Sequence, residues 1–192
     1  MRGWAFGVLL CASAAVASAQ VGEFSVSGGG SHFGSASLGE SAGALVDLHD
    51  GFHMALRFTL NTYKFFGHEF GYGYSHSNIQ IHSVPVQDNS TSIHQGFYDF
   101  LVYATPEGSR IRPFGAAGVN FSSFYPPGAS VYGGGQTKFG LNLGAGIKVK
   151  VNDRFNVRLD VRDYNTGKPF NFDNVSGRLN QIQVSVGVGL LF

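Results

Sequence analysis

From Ile182 to Phe192 the chain alternates with a period of two. Ile182, Val184, Val186, Val188, Leu190 and Phe192 form one set, all apolar. Gln183, Ser185, Gly187, Gly189 and Leu191 form the other, small or polar until its last member. Successive side chains on an extended strand point to opposite faces, so this segment is a strand with one greasy and one polar or small face. A soluble protein would cover the greasy face with a second layer and would seldom end there. No tail is expected to follow this strand.

Upstream the same period recurs. Strands are expected at about 22–33, 52–61, around Phe70–Tyr74, at 95–105, 112–121 and 137–151, and from Phe155 through Val161. Phe52, Met54, Leu56, Phe58 and Leu60 oppose His53, Ala55, Arg57, Thr59 and Asn61. Phe155, Val157, Leu159 and Val161 oppose Asn156, Arg158, Asp160 and Arg162. Residues 34–50 are rich in Ser, Gly and Ala, and 78–94 are polar, so both read as long loops. Two more loops are expected around Pro126-Pro127-Gly128 and over 166–177. Residues 62–67, 106–109 and Asn152-Asp153 read as tight turns. Eight strands result, with connectors that alternate long and short.

The 192 residues suit one domain, and their 43% hydrophobic content is dispersed rather than blocked. The 28 glycines and 14% aromatics disfavour helices and suit twisted, closely packed strands. Only 13% of residues are charged, the net charge is +1, and no basic stripe points to nucleic acid. Residues 1–19 read as a cleaved signal peptide: Arg2, an apolar run from Ala5 to Leu10, then the small-x-small site Ala17-Ser18-Ala19. Leu10 before Cys11 argues against a lipoprotein, and Cys11 leaves with the signal. The mature domain is then 20–192, without cysteine. No later segment could cross a membrane as a helix, so any crossing must be made by a closed barrel.

Two features choose the membrane. A barrel crossing a bilayer sorts its connectors, short on the periplasmic side and long outside, and needs an even strand count. A soluble sandwich has no reason to do so. The charges are sorted as well: Arg57, Lys148, Arg158, Asp160 and Arg162 all fall opposite the large apolar sets. A lipocalin-like soluble barrel would reverse that polarity. A Lys or Arg facing mid-bilayer costs about 2–4 kcal/mol, which explains its exclusion from those faces. The fold expected is all-β, an eight-stranded antiparallel up-and-down transmembrane β-barrel.

Ser185-x-Gly187-x-x-Leu190-x-Phe192 resembles the carboxy-terminal assembly signal of outer-membrane β-barrels. Across the mature chain the sequence resembles the OmpA-type family of small outer-membrane β-barrel domains. Glu69-Phe70-Gly71-Tyr72-Gly73-Tyr74, Arg112-Pro113-Phe114 and Arg158-x-Asp160-x-Arg162-x-Tyr164 are similar to strings of that family. The resemblance implies a bacterial outer-membrane location. Its implied partners are outer-membrane lipid and lipopolysaccharide, with the barrel-assembly machinery during biogenesis. A monomer is expected, with no cofactor, no nucleic acid and an extracellular ligand that the residues do not name. No peptidoglycan-binding domain is expected after the barrel, so a cell-wall anchoring role is not implied.

Eight strands enclose just enough room for side chains. The inward set then holds Glu23, Glu69, Asp99 and Asp160 with Arg57, Arg158 and Arg162, and buried opposite charges must pair. Counting from the short turns puts Arg57, Asp99 and Asp160 at one height, with Glu69 and Arg158 below. Such a network braces the wall or, alternatively, gates a narrow channel for ions or small solutes. His32, His49, His53, His76, His82 and His94 map to the outer ends of strands and could bind metal only if mobile loops gathered them; His68 maps to the other end. Catalysis is not expected. Ser75-His76-Ser77-Asn78 places His76 beside Ser77, and neighbours on a strand face opposite ways. A lipid A-modifying role is therefore the least favoured reading, behind a surface-interaction barrel and a porin-like channel.

Overall fold

The computed structural model describes residues 21–34, 37–41, 43–83, 85, 87–125, 135–170 and 177–192. The expected signal peptide and the Pro126-Pro127-Gly128 loop lie outside the described residues. The described residues form ten strands: β1 (Val21–Phe33), β2 (Ser37–Ser41), β3 (Ala44–Leu48), β4 (Gly51–Tyr63), β5 (Phe66–Ile81), β6 (Gln87–Tyr103), β7 (Ile111–Tyr125), β8 (Gln136–Lys150), β9 (Phe155–Gly167) and β10 (Arg178–Leu191). Eight of them close a ring in which each wall strand pairs antiparallel with two others, β1 with β4 and β10, and β5 with β4 and β6. Gly22 and Phe192 exchange both backbone hydrogen bonds at 2.9 Å where the seam ends.

The alternation read from the sequence is the alternation of the wall. Val184, Val186, Val188 and Leu190 on β10, and Phe155, Val157, Leu159 and Val161 on β9, are exposed on the outside. Ser185, Gln183, Arg158, Asp160 and Arg162 between them are buried in the lumen. Glycines let rings lie flat against the wall: Phe121 covers Gly96 from outside, and Phe97 covers Gly71 from within.

Two expected loops are strands. Residues 34–50 contain the β2–β3 hairpin, whose β3 pairs with the outer end of β5 through Val46↔Ile81 and Leu48↔Ile79. Much of 78–94 extends β5 and β6, with their turn reduced to 82–86. That turn is shorter than the connector 104–110, so the strict long–short alternation fails there. The reason is a reversal of polarity. Below this level most large apolar residues face out, although Phe97, Leu101 and Phe114 are buried in the lumen; above it Phe33, Ile79, Ile81, Ile93, Phe124 and Leu179 face in and are buried. The outward positions there include His32, Asn78, Gln80, Ser123 and Asn180, with Leu45 and Tyr125 as exposed apolar exceptions. The 16 residues of β5 span about 53 Å, or about 40 Å of height at barrel tilt, against an apolar band of about 25 Å. The excess stands in water and obeys the soluble rule.

This boundary can be tested on one outward face. Val186→Lys should destabilise the barrel in lipid vesicles by about 2–4 kcal/mol, whereas Asn78→Lys, above the reversal, should cost no more than about 1 kcal/mol. Equilibrium unfolding of both variants measures the difference.

Candidate functional site: the plugged lumen

The lumen is filled in layers, each built from inward positions of different strands. The central layer is ionic. Glu69 on β5 accepts from Arg158 twice, Nη1 to Oε2 at 2.5 Å and Nη2 to Oε1 at 3.0 Å. Arg162 Nη2 reaches the same Oε1 at 2.8 Å, and Thr59 donates to Oε2 at 2.9 Å. Arg158 Nε also donates to Asp160 Oδ2 at 2.5 Å. Arg162 Nη1 and Asn142 both donate to Asp99. Arg57 donates to Ser27 and lies 3.4 Å from Asp160 and 3.7 Å from Glu69. None of these charged side chains is more than 1% exposed.

The structure thus brings Arg57, Glu69, Asp99, Arg158, Asp160 and Arg162 into one cluster. The two levels obtained by counting residues merge, because tilted strands and long guanidinium arms reach along the axis. Room for the cluster comes from missing side chains: a Cβ at Gly144, the register partner of Arg162, would overlap that arginine's Cδ. Phe114 lies beneath, 5.1 Å from the Arg158 guanidinium, and Phe97 stands 5.7 Å from that of Arg57.

Two inward cations were missed, Lys148 and, nearer the short turns, Arg112 at 9% exposure. Lys148 is 3% exposed and pairs with Glu23 at 2.8 Å below the cluster. The signal was available, since an inward set of four acids and three bases is short of one base. Lys148 already stood on the inward parity of its strand.

Above the ions lies an amide belt. Gln95 donates to Gln181 at 2.8 Å, Gln183 donates to Gln95 at 2.6 Å, and Gln181 donates to Ser31 at 2.7 Å. His53 is buried there beneath the outer cap. The cap is apolar: Phe33, Leu38, Val46, Leu48, Ile79, Ile81, Ile93, Phe124, Phe170 and Leu179 form one buried cluster. Phe170 holds φ at 65°, a left-handed conformation that costs an aromatic residue about 1–3 kcal/mol, and its ring meets Phe124 at 6.4 Å. The packing of the cap holds it there.

The other sequence candidates are dispersed. His32 bonds Asp50 at 2.8 Å, a contact that holds the Asp50 carboxyl below its ordinary range, and His82 bonds Asp47 at 3.0 Å. His94 Nδ1 meets the Tyr72 hydroxyl at 2.5 Å, and His68 that of Tyr98 at 2.7 Å, both on the outer face. Among the described residues no three His, Cys, Asp or Glu side chains converge as a metal site. Ser77 donates inward to the His49 carbonyl while His76 packs outward at 5.6 Å from Phe52, so the wall separates them. The carboxy-terminal motif is also divided. Ser185 and Gly187 line the lumen, Ser185 donating to Asp160 at 3.3 Å, whereas Leu190 and Phe192 face outward. Phe192 stacks on Phe58 at 6.2 Å.

A closed ring with an apolar exterior and a side-chain-filled polar interior defines the class: a small transmembrane barrel of the outer-membrane type. The chain belongs to the outer membrane protein beta-barrel domain family, which it matches over residues 5–192. Membership implies a bacterial outer-membrane location. Solved folds agree. The chain is similar to Neisserial surface protein A (16% identity, covering 90% of this chain and 96% of that one, TM-score 0.59). It is similar to Ail of Yersinia pestis, crystallised with the heparin analogue sucrose octasulfate (12% identity, 90% and 99% covered, TM-score 0.55). It also resembles the amino-terminal barrel of Pseudomonas aeruginosa OprF (14% identity, 88% and 97% covered, TM-score 0.53). A search of curated proteins finds no match.

Glu69 touches three arginines, so Glu69→Ala should be the most damaging single truncation in the cluster, at about 3–5 kcal/mol. Arg57→Ala, which loses one hydrogen bond to Ser27 and two longer ionic contacts, should destabilise less. Melting in detergent ranks the two, and an unchanged profile for Arg57→Ala would contradict its paired, inward placement.

Proposed function

We propose that this barrel serves as a structural and surface-interaction protein of the outer membrane, acting through the part that projects beyond the lipid. One observation carries the reading: the lumen is closed twice, by the ionic layer and by the apolar cap, while the described part of the projecting end carries the β2–β3 and β5–β6 hairpins. Ions crossing would have to part buried charge pairs and then enter an apolar layer, each a costly step. The β2–β3 hairpin and the extended β5–β6 hairpin instead present His, Asp, Asn and Gln to the medium. An open face of about 640 Å³ lies between them, lined by His32, Asp47, His49, Asp50, His82 and Asp88.

The attachment protein and surface protein that share the fold support the architecture only, at 12% and 16% identity. A surface for a polyanion such as the sulfated analogue held by Ail would need clustered cations. The outer groove alternates acids with imidazoles, so a neutral or cationic ligand suits it better.

Two measurements test the reading. Deleting residues 37–48 should preserve the boiling-dependent gel shift of a folded barrel while reducing adhesion of cells that display it. The intact barrel in planar bilayers should pass no steady current. Sustained single-channel current with unaltered adhesion would replace this reading with the narrow-channel one.

A further inference from the structure

At the short-turn end, below the ionic layer, the lumen widens into a vestibule of about 310 Å³. Its polar lining is not self-satisfied. Glu23 and Asn156 are 1% and 4% exposed, yet Glu23 Oε1 and Asn156 Oδ1 have no donor. The nearby ammonium spends two of its three N–H groups elsewhere: Lys148 Nζ donates to Glu23 Oε2 at 2.8 Å and to the Tyr103 hydroxyl at 3.3 Å. Both orphan oxygens converge above Gly189, where a Cβ would stand 2.5 Å from the Asn156 oxygen and 2.9 Å from that of Glu23. The glycine leaves a cradle with two buried acceptors.

Across the ring, β7 stands four strands from β1, on the opposite side of an eight-stranded wall. Arg112 projects from it, 9% exposed, with its guanidinium 3.7 Å from the Tyr103 ring. Its Nη2 reaches the Lys64 carbonyl at 3.5 Å, and its Nε has no acceptor. The vestibule therefore offers two orphan acceptors on one wall and, on the other, an orphan donor beside Glu107, whose Oε1 also has no donor.

We propose that the vestibule binds a small zwitterion of the α-amino acid class. Its ammonium group donates to Glu23 Oε1 and Asn156 Oδ1, and its carboxylate accepts from Arg112. Formal charge selects a net-neutral ligand. Glu23 offsets Lys148, Asp153 pairs with Lys150 at 2.8 Å, and Glu107 on the rim offsets Arg112. A lone cation or anion would upset that balance, whereas a zwitterion preserves it and meets both orphan sets.

The test is a nuclear magnetic resonance titration of the refolded full barrel in detergent with L-alanine, methylamine and acetate as probes. L-Alanine should shift the amides of Gly189, Asn156 and Arg112 saturably, and each half-probe should bind at least about tenfold more weakly. Gly189→Ala fills the cradle and should weaken L-alanine by about tenfold or more. Arg112→Gln should weaken L-alanine but leave methylamine unchanged. The boiling-dependent gel shift confirms that each variant has folded. No saturable shift with L-alanine would mean that water alone meets these atoms and would overturn the proposal. Methylamine binding as tightly as L-alanine would overturn it too, as would wild-type L-alanine affinity in both variants.

Discussion

Lipid offers a peptide group no hydrogen-bond partner, and a sheet crossing it must therefore have no edge. In this chain the requirement is met by the pairings that close the ring, β1 with β10 and β5 with β6. Once the ring closes at eight strands, its bore is set, and an eight-stranded bore is only as wide as the side chains that fill it. The interior is thus obliged to be a core. Because lipid takes the apolar side of each strand, that core has to be assembled from what remains.

What remains is mostly polar, with Phe97, Leu101 and Phe114 packed among it, and its arrangement follows from the cost of leaving a buried charge unmatched. Glu69 joins three guanidinium groups from β4 and β9, Asp99 and Asp160 complete the balance, and Lys148 with Glu23 repeats the pattern lower down. Small residues are as necessary here as charged ones. Gly144 and Gly71 make way for Arg162 and Phe97, so the bareness of one strand accommodates the bulk of the next. Removal of a carboxylate from such a layer leaves cations stranded in a dry space, and mutual dependence makes the layer rigid.

The outer third of the barrel obeys another solvent. Where the strands leave the lipid, their alternation keeps its period but exchanges its faces, and the lumen changes from amides to an apolar cap. The β2–β3 hairpin exists because of that change. Leu38, Val46 and Leu48 have somewhere apolar to go only once the tops of β5 and β6 turn Ile79, Ile81 and Ile93 inward. The cap closes the lumen a second time, above the ionic layer.

The sequence by itself determined the wall. A period of two, charges excluded from one face and short turns at regular intervals are local properties, and lipid enforces them residue by residue. The inward placement of Arg57, Glu69, Asp99, Arg158, Asp160 and Arg162 was legible for the same reason, since parity settles the side of the wall a residue faces. Only the tertiary structure decided who pairs with whom. Strand tilt and side-chain reach bring Glu69 to Arg162, 93 positions away, and no count along a strand reveals that. The hairpin at 37–48 and the tops of β5 and β6 were hidden for a related reason. Their apolar residues are few and point the opposite way from those below, and their partners are brought to them only when the ring has closed.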